Sequence, residues 1–147
     1  MNIVNSMKLS FVSRSANESF ARSAVAAFLL PLDPTVAEIA DVKTAVSEAV
    51  TNAIVHAYPD TFGTVYIEVR LTDSGKAIIK IRDKGVGIAD IAQAMEPLYT
   101  TSTDERAGLG FAVMQSFMDS VKVRSAVGRG TTVTLEKNII RSAYGSK

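Results

Sequence analysis

Glu48, Asn52 and His56 follow one another at steps of four, in a stretch whose apolar residues also repeat at helical spacing. A helix there stacks the three on one face, together with Lys43, Thr44, Ser47 and Thr51. A carboxylate one turn before a carboxamide has the inventory for a magnesium and nucleotide site, because a hard cation takes oxygen ligands and a carboxylate can take a proton. The competing reading is a solvated helix face. Such a face usually carries long Lys, Glu, Arg and Gln side chains, whereas Thr, Ser and Asn are poorer helix formers. His56 could be a site residue, though taken alone it reads rather as a structural histidine at the helix end.

Three further clusters are built on glycine. In Asp83-Lys84-Gly85-Val86-Gly87 an aspartate leaves a strand, where it could accept a hydrogen bond from an exocyclic amine while residues without a Cβ let a flat base approach the backbone; a plain tight turn explains the glycines equally well. Gly108-Leu109-Gly110-Phe111 joins a polar stretch to a helix, and free N–H groups at a helix start favour phosphate. Arg106 just upstream is a charge-assisted donor for a terminal phosphate, or a solvated loop arginine. Gly128-Arg129-Gly130-Thr131-Thr132 is a hairpin turn whose threonine hydroxyl could meet a purine edge. The order of the four clusters says more than any one of them. It contains no Walker loop, no kinase His-Arg-Asp or Asp-Phe-Gly, and no dinucleotide fingerprint in a βαβ unit.

The elements that position these residues follow from periodicity. Leu9 and Phe11 alternate with polar neighbours across Met7 to Ser13, which predicts a half-buried strand. Ser15 and Glu18 have capping-box spacing, and Phe20, Ala24, Ala27 and Phe28 then predict a first helix that stops at Pro31. Asp33 and Pro34 fit the N-cap and first position of a second helix. Its stripe comprises Val36, Ile39, Ala40, Val46, Ala49, Val50, Ala53 and Ile54, and it ends between His56 and Pro59. Val65 to Leu71 and Ala77 to Ile81 form a hairpin around Asp73-Ser74-Gly75. A weak helix from Asp90 to Met95 and a long loop from Pro97 to Ala107 precede the helix that Gly108 opens. A final hairpin pairs Val121 to Ala126 with Thr131 to Leu135, and the tail from Arg141 reads as frayed. Strands and helices in this order make an α+β sandwich.

Composition narrows the chemistry. The 147 residues are 47% hydrophobic, enough for one domain with a real core. Without cysteine, disulfides, thiolate metal sites and cysteine nucleophiles are excluded; with one histidine, so is a multi-histidine metal centre. A net charge of +1 with no lysine-rich block gives no sign of nucleic acid or an anionic membrane as partner. The longest apolar run, Ala24 to Leu32, is far shorter than the roughly 20 residues of a membrane span, and Met1 to Ser6 has no signal-peptide pattern. The expectation is a soluble, cytoplasmic, single-domain protein.

At these motifs the chain resembles the anti-sigma serine kinases, within the ATPase superfamily of gyrase, the large heat-shock chaperone, histidine kinases and mismatch-repair proteins. Residues 48–58 match the helix carrying that superfamily's N box, Asp83 to Gly87 its first glycine box, and Ala107 to Phe111 its second. Asn17 to Arg22 and Leu32 to Thr35 strengthen the likeness to the sporulation branch, with the general-stress branch as its sister. Ala57 stands where relatives often have glycine, and Ser102 to Glu105 differ from the usual lid. The resemblance implies a two-layer sandwich of the histidine-kinase-like ATPase type, its mixed, mainly antiparallel sheet covered by helices on one face, as a single domain over 1–147 with a core at about 8–136. It implies ATP or ADP with Mg2+ as ligands, a homodimer, a sigma factor as captive, and an anti-anti-sigma protein phosphorylated on serine. By the same resemblance, Glu48 is the general base and Asn52 holds magnesium. Asp83 takes the adenine amino group, with Thr131 beside it, and Gly85 and Gly87 admit the base. Gly108 and Gly110 belong to the phosphate lid, Arg106 meets the γ-phosphate, and Arg22 lies on the partner surface.

Overall fold

The computed structural model of the chain describes residues 2–95 and 105–139. The alternating stretches form strands: β1 (Ile3–Val12), β2 (Thr64–Thr72), β3 (Lys76–Asp83), β4 (Ser120–Ala126) and β5 (Gly130–Asn138). They lie in the order β1-β2-β3-β5-β4, and all four ladders are antiparallel. The sheet is thus more uniform than the mixed one expected. The last hairpin places β4 on the edge and folds β5 back beside β3. β1 begins four residues earlier than its alternation suggests, because Ile3 to Ser6 keep pairing with the end of β2.

The helices are α1 (Asn17–Phe28), α2 (Val36–Asn52), α3 (Ile91–Ala94) and α4 (Glu105–Phe117). One face of the sheet meets them. Ile67, Leu71, Ile79 and Leu135 on the sheet, and Val42, Val46, Phe111 and Met114 on α2 and α4, are fully or almost fully buried. Each such side chain contributes roughly 1.5–3 kcal/mol relative to exposure. The other face carries cross-strand charge pairs, such as Lys76 with Glu136 at 3.3 Å.

Local signals were partly misplaced. Thr35, not Asp33, caps α2: its hydroxyl accepts from the Glu38 amide at 3.1 Å, and the Glu38 carboxylate accepts from the Thr35 amide at 2.9 Å. Asp33 instead takes a left-handed conformation (φ 55°) that ends the Leu30–Leu32 turn. The first residue of α2, Val36, is 88% exposed and leaves the apolar stripe. On α1 the cap residue is Ala16 with no side-chain bond, so the Ser15 capping box does not form. The buried stripe of α1 is Ala21, Val25 and Leu29, one residue out of phase with the aromatic one; Phe20 is 58% exposed. Ala21 and Val25 are small, which suits a close approach to α2. Most of the Pro97 to Ala107 loop and the tail from Arg141 lie outside the described residues.

Candidate functional site

The capping box at Thr35 sets the phase of α2, and four turns later Glu48 and Asn52 emerge half-buried toward α4. There α4 crosses them at Gly110. A Cβ on Gly110 would stand 3.0 Å from Glu48 Oε2 and 3.4 Å from Asn52 Nδ2, so a side chain here would press on both. This glycine joins the site by a route other than the one expected. Because α4 begins at Glu105, Gly108 and Gly110 lie inside the helix rather than at its start, and the amides freed by helix initiation belong to the turn before Gly110. The side chain of Arg106 lies outside the described portion.

Directly after Asn52 the helix widens into a π-turn, Ala53–Ala57, which carries His56. Such turns occur often at functional sites. Asn52 Nδ2 is buried and has no hydrogen-bond partner among the described residues. An unsatisfied buried donor costs about 1–3 kcal/mol unless a ligand meets it.

At the other end of the site the sheet's core-facing rows change character. Ile81, Val133 and Val123 pair across β3, β5 and β4; two residues along, the same face carries Asp83, Thr131 and Ser125. Asp83 is only 7% exposed. Its Oδ1 accepts the amides of Gly85 (3.0 Å) and Thr131 (3.2 Å). Burial raises its pKa above the ordinary aspartate value, and those two backbone bonds oppose the rise. Its other oxygen makes no hydrogen bond among the described residues.

Backbone contact accounts for the neighbouring glycines. A Cβ on Gly85 would lie 2.0 Å from the Ala57 carbonyl oxygen, which accepts the Val86 amide at 2.9 Å, so the glycine loop seats directly on the end of the π-turn. Gly87 has φ +77° and would meet the Ala126 carbonyl oxygen at 2.2 Å. The tight-turn reading therefore holds at Gly87, and Gly85 answers to close packing. Tyr58 braces the same corner: its hydroxyl donates to the Thr64 carbonyl and accepts the Lys84 amide, both at 2.7 Å.

Between α2 and this loop lies a cavity of about 720 Å3, within the range of small-molecule sites. Asn52, His56, Asp83, Gly87 and Thr131 line it, over apolar walls from Ile81, Ile88, Phe111 and Val133. Gly85 and Glu48 are not part of the lining; Glu48 stands one turn beyond Asn52, against Gly110. Arg22 lies elsewhere, on α1. Its guanidinium is 3.3 Å from Glu18 Oε1, which also accepts from the Ser47 hydroxyl on α2.

The donor set suits a magnesium nucleotide better than a resident metal. Among the described residues no three His, Cys, Asp or Glu side chains form a metal-holding group. A hard cation would therefore draw most of its oxygens from phosphate and water, with the Asn52 carboxamide as a protein ligand. The cavity has one polar end at Asp83 and another at Asn52, with apolar walls between them: a base at one end and phosphates at the other fit this division.

Comparison with known proteins agrees with the fold. Residues 11–137 match the histidine kinase-like ATPase domain. The anti-sigma F factor of Caldanaerobacter subterraneus subsp. tengcongensis is 53% identical over 97% of this chain and 99% of its own length. That of Geobacillus thermodenitrificans is 54% identical over 94% and 95%.

The chain belongs to the anti-sigma F factor family.

A third anti-sigma F factor, from Clostridium botulinum, is 56% identical over 90% of this chain and 94% of its own. Among solved structures, the RsbU and RsbW domains of Rv1364c from Mycobacterium tuberculosis superpose with a TM-score of 0.67 at 18% identity, covering 92% of this chain and 32% of that one. A blue-light activated histidine kinase from Erythrobacter litoralis gives 0.59 at 20% identity, over 86% of this chain and 42% of that one. Two residues of this anti-sigma F factor family member brace the site without having been singled out as site residues, Tyr58 at the end of the N-box stretch and Ser125 outside every motif. Tyr58 follows the π-turn, and Ser125 faces Thr131 across the last hairpin; the alternation Val121, Val123, Ser125 is the signal that places Ser125 on the inner face.

Proposed function

We propose that the chain is an ATP-dependent serine-protein kinase that also holds a sigma factor of the sigma-F type, switching between that captive and an anti-anti-sigma protein. The observation that carries the reading is the placing of Glu48 beside Asn52, whose buried Nδ2 has no partner among the described residues, at one end of a cavity whose other end is the buried Asp83. Asp83 receives the amino group of adenine, and Thr131 lies beside it. The apolar walls take the base, and Gly87 lets the loop close around it. Asn52 holds magnesium, which when bound neutralises phosphate charge. Gly108, Gly110 and Arg106 serve the phosphate end.

Glu48 draws the proton from the hydroxyl of a partner serine. That oxygen forms the new bond to the γ-phosphorus, the bond to the β,γ-bridging oxygen breaks, and ADP leaves. Little covalent work falls to the protein, so positioning and charge neutralisation carry most of the rate. Arg22, held by Glu18, belongs to the partner surface on α1. A homodimer in the cytoplasm, without direct contact to nucleic acid, completes the reading. Among the described residues no helix is long and apolar enough to cross a membrane.

The alternatives are a general-stress, sigma-B type of anti-sigma kinase and a nucleotide-dependent sigma-binding module with negligible kinase activity; identities of 53–56% to anti-sigma F factors favour the sigma-F type over the sigma-B type. Capture of partners from a sporulating lysate on the immobilised chain, with Mg-ATP and then Mg-ADP, tests the regulatory part. A sigma factor and a small anti-anti-sigma protein are expected. Recovery of neither would overturn it and leave nucleotide binding standing.

A further inference from the structure

Ser125 makes three contacts with one hydroxyl. Its oxygen accepts the Ile88 amide at 2.7 Å, lies 3.0 Å from the Gly130 carbonyl oxygen and lies 2.8 Å from the Thr131 hydroxyl. A serine hydroxyl has one hydrogen and two lone pairs. A carbonyl can only accept, so for all three contacts to be hydrogen bonds the hydrogen of Ser125 goes to Gly130. The Ile88 amide fills one lone pair. The other is left for Thr131, whose hydroxyl must then be the donor of that contact. With its hydrogen committed, Thr131 Oγ1 offers only lone pairs to the cavity it lines.

We propose that Ser125 is a positioning residue that fixes the Thr131 hydroxyl as an acceptor, so that the Asp83 end of the cavity selects a 6-amino purine over a 6-oxo purine. The inference rests on the reading of this cavity as a nucleotide site. Asp83 and Thr131 are direct neighbours in the β3–β5 ladder, and the Thr131 amide already bonds Asp83 Oδ1. A primary amine placed between them has a hydrogen for each. A carbonyl oxygen in the same place meets two acceptors and leaves both polar groups unpaired. Ser125 also hooks the Ile88 amide, which holds that wall of the cavity at the same spot.

The test is calorimetric titration of the full chain with Mg-ADP and Mg-IDP, whose bases carry an amino group and an oxo group at the 6-position, the oxo base also bearing a hydrogen on N1. Wild type is expected to prefer ADP. In Ser125→Ala the freed Thr131 hydroxyl can turn and donate to the oxo group, so the ADP/IDP affinity ratio should fall about tenfold, the worth of one hydrogen bond. Ser125→Thr, which keeps the hydroxyl, should restore the wild-type ratio. If Ser125→Ala weakens both ligands in equal proportion, or leaves the ratio unchanged, the proposal is overturned and Ser125 is only structural. Should that variant fail to fold, Thr131→Val decides: it removes the acceptor while leaving the other Ser125 bonds, and an unchanged ratio overturns the proposal. Wild type binding neither nucleotide would instead overturn the nucleotide reading beneath it.

Discussion

Asp83 illustrates a residue kept at a cost to stability. Burial disfavours its charged form, so its native pKa is raised. Between the unfolded and native pKa values the folded state retains a proton that the unfolded state has lost, and stability falls as pH rises through that window. Above it the full penalty remains. Asp83→Asn keeps an oxygen for the Gly85 and Thr131 amides and removes the charge. Its melting temperature at pH 7 should therefore exceed that of wild type, with the gap closing as the pH is lowered through the carboxyl titration. Affinity for ADP should drop about 10- to 100-fold, the worth of a charge-assisted bond. Thermal melts across pH, paired with ADP titrations, check both parts; a variant less stable than wild type at pH 7 would contradict the desolvation argument. Asp83 is legible in sequence because an aspartate at the end of an apolar strand, followed by two glycines, fits a turn that can also receive a flat base. Ser125 is not, because a serine in an alternating strand is ordinary until its partner across the hairpin is known.

At the scale of elements, the glycines separate two kinds of requirement. Gly110 sits within α4, where alanine is about 1 kcal/mol more favourable. The added Cβ would press on the end of a flexible Glu48 side chain, which can shift by a few tenths of an ångström. Gly110→Ala should leave the urea midpoint equal or higher while phosphate transfer falls about tenfold or more, since the displaced group is the proposed base. Gly85→Ala should do the opposite first: its Cβ meets backbone at 2.0 Å, and the fold should lose roughly 1–3 kcal/mol or more in the same urea titration. The β2–β3 hairpin and the last hairpin are readable because strict alternation and glycine turns have one interpretation. The phase of α1 is not, because Phe20 and Phe28 outweigh Ala21 and Val25 in any hydrophobic reading, while packing on α2 takes the small residues. The π-turn after Asn52 leaves no mark in residue type; it is a hydrogen-bond shift that ends at Ala57, whose carbonyl accepts the Val86 amide of the glycine loop.

Over the whole molecule, a one-faced sheet with helices above it leaves the nucleotide cavity between α2 and the ends of β3 and β5, so ligand binding should report on global stability. At 100 times its Kd, Mg-ADP should stabilise the fold by about 2.7 kcal/mol. Chelating the metal should shrink that gain without changing the melt of the ligand-free chain, because the described residues contain no metal-holding cluster of their own. A ligand-free melt that shifts on chelation would point to a resident metal instead. The most direct test of the account is the rate of phosphate transfer in a single turnover from Mg-ATP to the serine of an anti-anti-sigma protein, measured for wild type and Glu48→Gln with ATP affinity determined in parallel. The account predicts a rate lowered about 10²- to 10⁴-fold, as for loss of a general base, with ATP affinity within about threefold of wild type. An undiminished rate in Glu48→Gln would contradict it.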